Sequence, residues 1–186
     1  MYLIRHGEAD RARANDPYTV PLTPLGEIQA RRVARQCQEW GIQLLYVSTM
    51  LPAQQTADAV TELMPQLARW DLEELEDVNI DDLLGEPTAG QLVSTWTEEQ
   101  LSFGYERAWI RVMAALMRVQ LYAASRRIGR IGIIAHSSTL QLLLLNWLGL
   151  DWRSAKSLDL SVDCGATCKL SLDGYRHVRI AWINRL

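Results

Sequence analysis

Short apolar runs alternate along this chain with longer amphipathic stretches. "YLIR" at 2–5, "QLLYVST" at 43–49 and "RIGIIAH" at 130–136 are nearly continuous aliphatic runs, short enough to be strands buried on both faces. "LARW" at 67–70 reads as a further strand. Between them the periodicity turns helical. Thr23-Pro24 reads as an N-cap followed by proline at the first helical position, opening a helix that runs to Gly41 with Ile28, Val33, Ala34 and Cys37 on one face. A second helix starts at Pro52 and a longer one spans about 104–125. A fourth follows His136, with serine and threonine available as caps, and ends at Gly149.

Residues 71–100 are acidic and irregular, punctuated by Gly85, Pro87 and Gly90. The tail reads as a hairpin, "CKLSL" and "HVRIAWI", turning at Asp173-Gly174. Strands alternating with helices over 1–150 predict an α/β fold: a three-layer α/β/α sandwich on a mostly parallel sheet. With 186 residues, 48% of them hydrophobic, the chain has enough material for one substantial core, and a single domain over 1–186 is expected.

Composition removes several function classes. The apolar stretches around 131–135 and 140–150 fall short of the roughly 20 residues a membrane span needs. "MYLI" lacks the basic and apolar regions of a secretory signal, so a cytoplasmic location is expected. A net charge of −3 with scattered arginines gives no nucleic-acid footprint, and Arg31, Arg32 and Arg35 read as the wet face of the first helix. Cys37, Cys164 and Cys168 lack zinc-type spacing. A metal pair at Cys164 and Cys168 would need His177, and small core thiols are the simpler reading.

The chemistry gathers where strands end. In α/β sheets the working site lies at the carboxyl ends of the strands, and both Arg5-His6 and His136 stand there. Adjacent side chains on a regular strand point to opposite faces, so Gly7 is expected to let the chain bend and bring backbone N–H groups toward a ligand. Two imidazoles, a guanidinium and the helix N-terminus after His136 make a cationic concavity suited to phosphate. A neutral imidazole can take a phosphoryl group covalently while the other cationic groups offset charge on its oxygens. The acidic stretch 73–77 can supply the proton for the leaving oxygen.

"LIRHGEA" at 3–9, "LTPLGEIQA" at 22–30, "VSTMLPAQQTA" at 47–57 and "IIAHSS" at 133–138 resemble, in order, four blocks of the histidine phosphatase (phosphoglycerate mutase-like) superfamily. The resemblance implies His6 as the phosphorylated nucleophile, Arg5 as its cationic neighbour and His136 as the second imidazole. Glu74, in "LEE", becomes the proton donor, with Glu73 and Glu76 beside it. Gly7 and Ser137 join the substrate-binding set. It implies a phosphatase acting on a small phosphorylated substrate or a phosphoprotein, without metal or cofactor, and the compact length favours a phosphatase over a mutase. Oligomeric state stays open.

The chain also departs from the family's pattern. Pro52 stands where a second phosphate-binding arginine is usual, a loss of roughly 1.5–3 kcal/mol of phosphate binding. Ser137 replaces the glycine after the second histidine, and "EDVNIDDLLGE" lacks the usual aromatic signature. Arg11 and Arg13, in the loop after the first block, are candidates to replace the missing charge. A phospho-ligand-binding protein with little turnover is the alternative from another class.

Overall fold

The computed structural model describes residues 1–10, 17–78, 97–172 and 178–186. Its strands are β1 (Tyr2–Arg5), β2 (Leu44–Ser48), β3 (Ala68–Leu72), β4 (Ile131–Ala135), β5 (Thr167–Leu172) and β6 (Val178–Arg185). The α-helices are α1 (Pro24–Trp40), α2 (Leu51–Leu63), α3 (Glu98–Arg126) and α4 (Ser137–Trp147), with short 3-10 turns at Pro17–Thr19, Glu73–Leu75 and Trp152–Lys156. The six strands form one sheet in the order β3-β2-β4-β1-β5-β6. The first four run parallel, whereas β5 is antiparallel to β1 and β6 antiparallel to β5.

Strand alternation divides the interior into two cores. Tyr2, Ile4, Leu45, Val47 and Ile134 face α1 and α2, packing on Val33, Cys37, Ala53 and Ala57. Leu3, Leu44, Tyr46, Ile131 and Ile133 face the other way, toward α3 and α4. The three-layer α/β/α sandwich on a mostly parallel sheet is therefore the fold. Two cysteines serve the cores: Cys37 and Cys168 are buried, and burial pushes the Cys37 thiol up to about 12.

Most element boundaries follow local chemistry. Thr23 caps α1 by accepting from the Gly26 N–H, and Gly41 ends it in the left-handed conformation, φ 61°. Three details differ from expectation. Ile28 is 58% exposed, and the buried face of α1 is Gly26, Ala30, Val33, Ala34 and Cys37. The long helix begins at Glu98, six residues before the expected start, because Thr97 and Gln100 form a reciprocal capping box. Neither serine nor threonine caps α4: its N-cap is His136, whose side chain makes no capping bond. Arg11, Arg13, His177 and the Asp173-Gly174 turn lie outside the described residues.

Candidate active site

Register brings the two imidazoles together. In the β1–β4 pairing Arg5 lies opposite Ala135, and the His6 N–H donates to the Ala135 carbonyl at 3.1 Å. One step further, His6 comes to lie beside His136 at the mouths of adjacent strands. The ring centroids are 4.9 Å apart with planes at 58°, and both residues are buried, 4% and 2% exposed.

Each ring is oriented by a different neighbour. His6 Nδ1 lies 2.6 Å from the Gly7 carbonyl oxygen, which can only accept, so Nδ1 carries the proton and Nε2 the lone pair. Burial, chiefly, and the positive neighbours His136 and Arg5 push the His6 pKa down to about 3, against a smaller upward pull from the Gly7 carbonyl and Asp77. The ring is therefore neutral at ordinary pH. His136 Nε2 lies 2.8 Å from the Ser48 Oγ, at the end of β2, and that hydroxyl also accepts from the Met50 N–H at 3.3 Å.

Arg5 donates through Nη1 to the Val162 carbonyl at 2.6 Å, and its Nε is buried with no hydrogen-bond partner among the described residues. Such a donor is rare unless something else satisfies it. The first turn of α4, from Ser137, follows His136 directly, and its leading N–H groups favour an anion. Pro52 is buried at the start of α2, so this helix brings no guanidinium at that position.

Gly7 acts differently from the expectation. Its N–H donates to Thr56 Oγ1 at 3.0 Å, so it does not point at a ligand. A Cβ on Gly7 would lie 2.3 Å from the Gly26 carbonyl oxygen, and one on Gly26 would lie 2.0 Å from the Glu8 carbonyl. The glycines thus let two backbones touch. Glu8 is fixed on the same helix start, its N–H donating to Gln29 Oε1 at 2.7 Å and its carbonyl accepting from the Thr23 N–H at 2.9 Å. The first two sequence blocks are two halves of one packed joint.

The acidic stretch is also rearranged relative to expectation. Glu74 sits in the 3-10 turn after β3, but Arg118 Nη1 binds its carboxylate at 2.6 Å, on the flank of α3. Glu76 accepts a short hydrogen bond from Thr49. Among the described residues, the carboxylate whose charge reaches His6 is that of Asp77. Its backbone is held close to the imidazoles: the Asp77 N–H donates to Met50 Sδ at 3.4 Å, and Thr139, in the first turn of α4, donates to the Glu76 carbonyl at 2.6 Å. Arg111 gathers the whole segment, donating to the carbonyls of Glu73 (3.3 Å), Glu74 (3.1 Å), Glu76 (3.1 Å) and Asp77 (3.2 Å). Tyr105 stands in the same corner, its hydroxyl hydrogen-bonded to Ser138 and its own ionisation opposed by burial and Asp77.

Sequence reasoning gave no role to Ser48 or Arg111, and reached Asp77 only as one member of the acidic stretch 73–77. Ser48 stood within the third block at a strand end, which was signal enough. Arg111 has none in sequence, since its partners lie 34 to 38 residues away.

A sandwich of this strand order with two imidazoles at its mouth is an α/β fold of the histidine phosphatase kind. The chain belongs to the histidine phosphatase superfamily (branch 1), which it matches over residues 1–185. It is 30% identical over 175 residues to the "Probable phosphoglycerate mutase GpmB" of Enterobacter sp. (strain 638), covering 86% of this chain and 80% of that one. In fold it resembles the α-ribazole phosphatase of Shigella flexneri, with a TM-score of 0.71 at 22% identity over 98% and 95% of the two chains. It also resembles a mycobacterial glucosyl-3-phosphoglycerate phosphatase in complex with VO3, with a TM-score of 0.71 at 18% identity over 100% and 99%. No helix among the described residues is long and apolar enough to cross a membrane.

Proposed function

We propose that the protein is a phosphomonoester hydrolase that works through a phosphohistidine on His6. The observation that carries this reading is the 2.6 Å bond from His6 Nδ1 to the Gly7 carbonyl, because it leaves Nε2 of a neutral ring as the nucleophile. In the first step Nε2 attacks phosphorus, the P–O ester bond breaks and an acid protonates the departing oxygen. In the second, water attacks the phosphohistidine, its proton passes to the same carboxylate, and the P–N bond breaks to restore neutral His6.

Arg5, whose buried Nε has no partner among the described residues, gives the phosphoryl oxygens a donor ready for an anion. His136 and the N–H groups of the first turn of α4 complete the cationic hollow. Asp77 serves better as the acid than Glu74, because its charge reaches His6 while the Glu74 carboxylate is bound to Arg118. Small phosphorylated molecules or a phosphoprotein fit this chemistry, and no metal or cofactor takes part in it.

A second reading rests on Pro52. Buried where the family usually has an arginine, it removes one charge from the phosphate, and a binding protein with weak turnover is the limit of that loss. One experiment separates the readings. The protein is mixed with an aryl phosphate and quenched, and an acid-labile phosphoryl adduct is mapped by mass spectrometry alongside phosphate release. Release with an adduct on His6, both absent in His6→Ala, supports the hydrolase. Saturable phosphate binding without adduct or release overturns it in favour of the binding protein. Isomerisation of a phosphoglycerate without net phosphate release would make the chain a mutase.

A further inference from the structure

One wall of the cationic hollow comes from outside the four sequence blocks. Residues 162–166, the turn before β5, wrap the exit of β1. The Arg5 N–H donates to the Ala166 carbonyl at 3.0 Å, and the Gly165 N–H is shared between the carbonyls of Arg5 (3.1 Å) and His6 (2.9 Å). The same turn holds the side chain, since Arg5 Nη1 donates to the Val162 carbonyl at 2.6 Å. Where the turn stands therefore decides where the guanidinium stands, because the planar fork moves as one body.

The last residues of β6 hold that turn in place. The Asp163 N–H donates to Asn184 Oδ1 at 2.7 Å, and Asn184 Nδ2 returns a bond to Asp163 Oδ2 at 2.9 Å. An irregularity in the strand makes this clasp. Thr167 pairs with Arg185 but Lys169 with Trp182, so Ile183 and Asn184 stand opposite the single residue Cys168. Asn184 absorbs the extra residue with φ 56°, in the left-handed region that asparagine enters more readily than most side chains. The bulge thus re-aims one side chain, and that side chain grips Asp163. We propose that Asn184 is a positioning residue for the phosphate site: through Asp163 and the Val162 carbonyl it fixes the Arg5 guanidinium and so sets the affinity for the phosphoryl group. This rests on the reading of Arg5 as a phosphate ligand.

Titration with inorganic phosphate up to about 100 mM at constant ionic strength tests the inference, with thermal melting followed alongside so that only folded variants are compared. Asp163 and Asn184 are both exposed, so either changes without opening a core. Asn184→Asp tolerates the left-handed backbone but sets carboxylate against carboxylate, and should weaken phosphate binding about fivefold or more. Asn184→Gly removes the clasp without adding charge and should act alike. Combining Asn184→Asp with Asp163→Asn rebuilds a reciprocal pair with the roles exchanged and should restore the affinity. Asp163→Asn alone, still able to accept from Asn184, should not weaken it. In an Arg5→Ala background Asn184→Gly should have no further effect, whereas a merely structural role would weaken binding equally in both backgrounds. Phosphate affinity that depends on Arg5 but is indifferent to Asn184→Gly overturns the inference alone. An equal loss in the Arg5→Ala background, or an exchanged pair that restores nothing, does the same. Phosphate affinity indifferent to Arg5→Ala overturns the reading of the site, and this inference with it.

Discussion

Ser48 Oγ and His136 Nε2, 2.8 Å apart, tie together the mouths of the neighbouring strands β2 and β4. Both groups are buried, Ser48 completely, so the bond fixes the ring's orientation beside His6. Ser48→Ala leaves a buried ring nitrogen without that partner. A stability loss of about 1–3 kcal/mol in chemical denaturation is expected. On the proposed mechanism kcat falls about tenfold or more while KM changes little, because a tilted His136 serves the transition state less well than it tolerates the bound ester. Unchanged kcat would mean that the ring needs no help from Ser48.

Gly7 and Gly26 give a second prediction, concerning the fold. A methyl group at Gly7 would meet the Gly26 carbonyl oxygen at 2.3 Å and its carbon at 2.9 Å, and both are backbone atoms that cannot rotate away. Gly7→Ala must separate the first strand's exit from the start of α1. The expected cost is about 3 kcal/mol, seen as a drop in melting temperature of roughly 6–12 °C. Gly26→Ala should be as damaging, since its methyl would meet the Glu8 carbonyl at 2.0 Å. Normal melting of either variant would show that the joint can loosen.

What could be read in advance followed from local chemistry. The strands ending at Arg5 and Ala135 announced themselves as apolar runs, and α1 as Thr23-Pro24 at one end and Gly41 at the other, because caps and periodicity act within a few residues. The meeting of His6 and His136 was legible as well, since parallel strands deliver their ends to one edge of a sheet. The acid was not. Which of Glu73, Glu74, Glu76 and Asp77 faces the imidazoles depends on how one segment folds back after β3, and Arg111 and Arg118 decide that from α3. Ile28 failed for a related reason: it has the right chemistry for a core, but it stands on the side of α1 turned away from Ile4 and Val47.

The acid can be assigned by its dependence on the leaving group. If Asp77 protonates the departing oxygen, Asp77→Asn should slow an alkyl phosphate about a hundredfold or more and an aryl phosphate with an acidic phenol far less, since the latter departs without a proton. Glu74→Gln should leave both rates near those of the parent protein. It should also cost under about 1 kcal/mol of stability, because the Arg118 side chain it pairs with is 57% exposed. Measuring kcat for a series of esters in the two variants decides the matter. The reverse pattern would return the role to Glu74 and require its bridge to Arg118 to open in the working enzyme.

The buried His6 makes stability depend on pH in a defined direction. Its folded pKa, about 3, lies below the ordinary 6.5, so between those values the unfolded chain binds a proton that the folded chain refuses. Protonation then favours unfolding. Stability should hold above about pH 6.5 and fall by about 1.4 kcal/mol per pH unit as the solution is acidified toward pH 3. Carboxylates add acid sensitivity of their own, so the measurement is a comparison. Going from pH 7 to pH 5, the parent protein should lose about 2 kcal/mol more than His6→Asn, which has no imidazole to protonate. Equal losses would mean that His6 takes its proton in the folded state near the ordinary pH, and a ring that does so would spend much of its time unable to attack phosphorus.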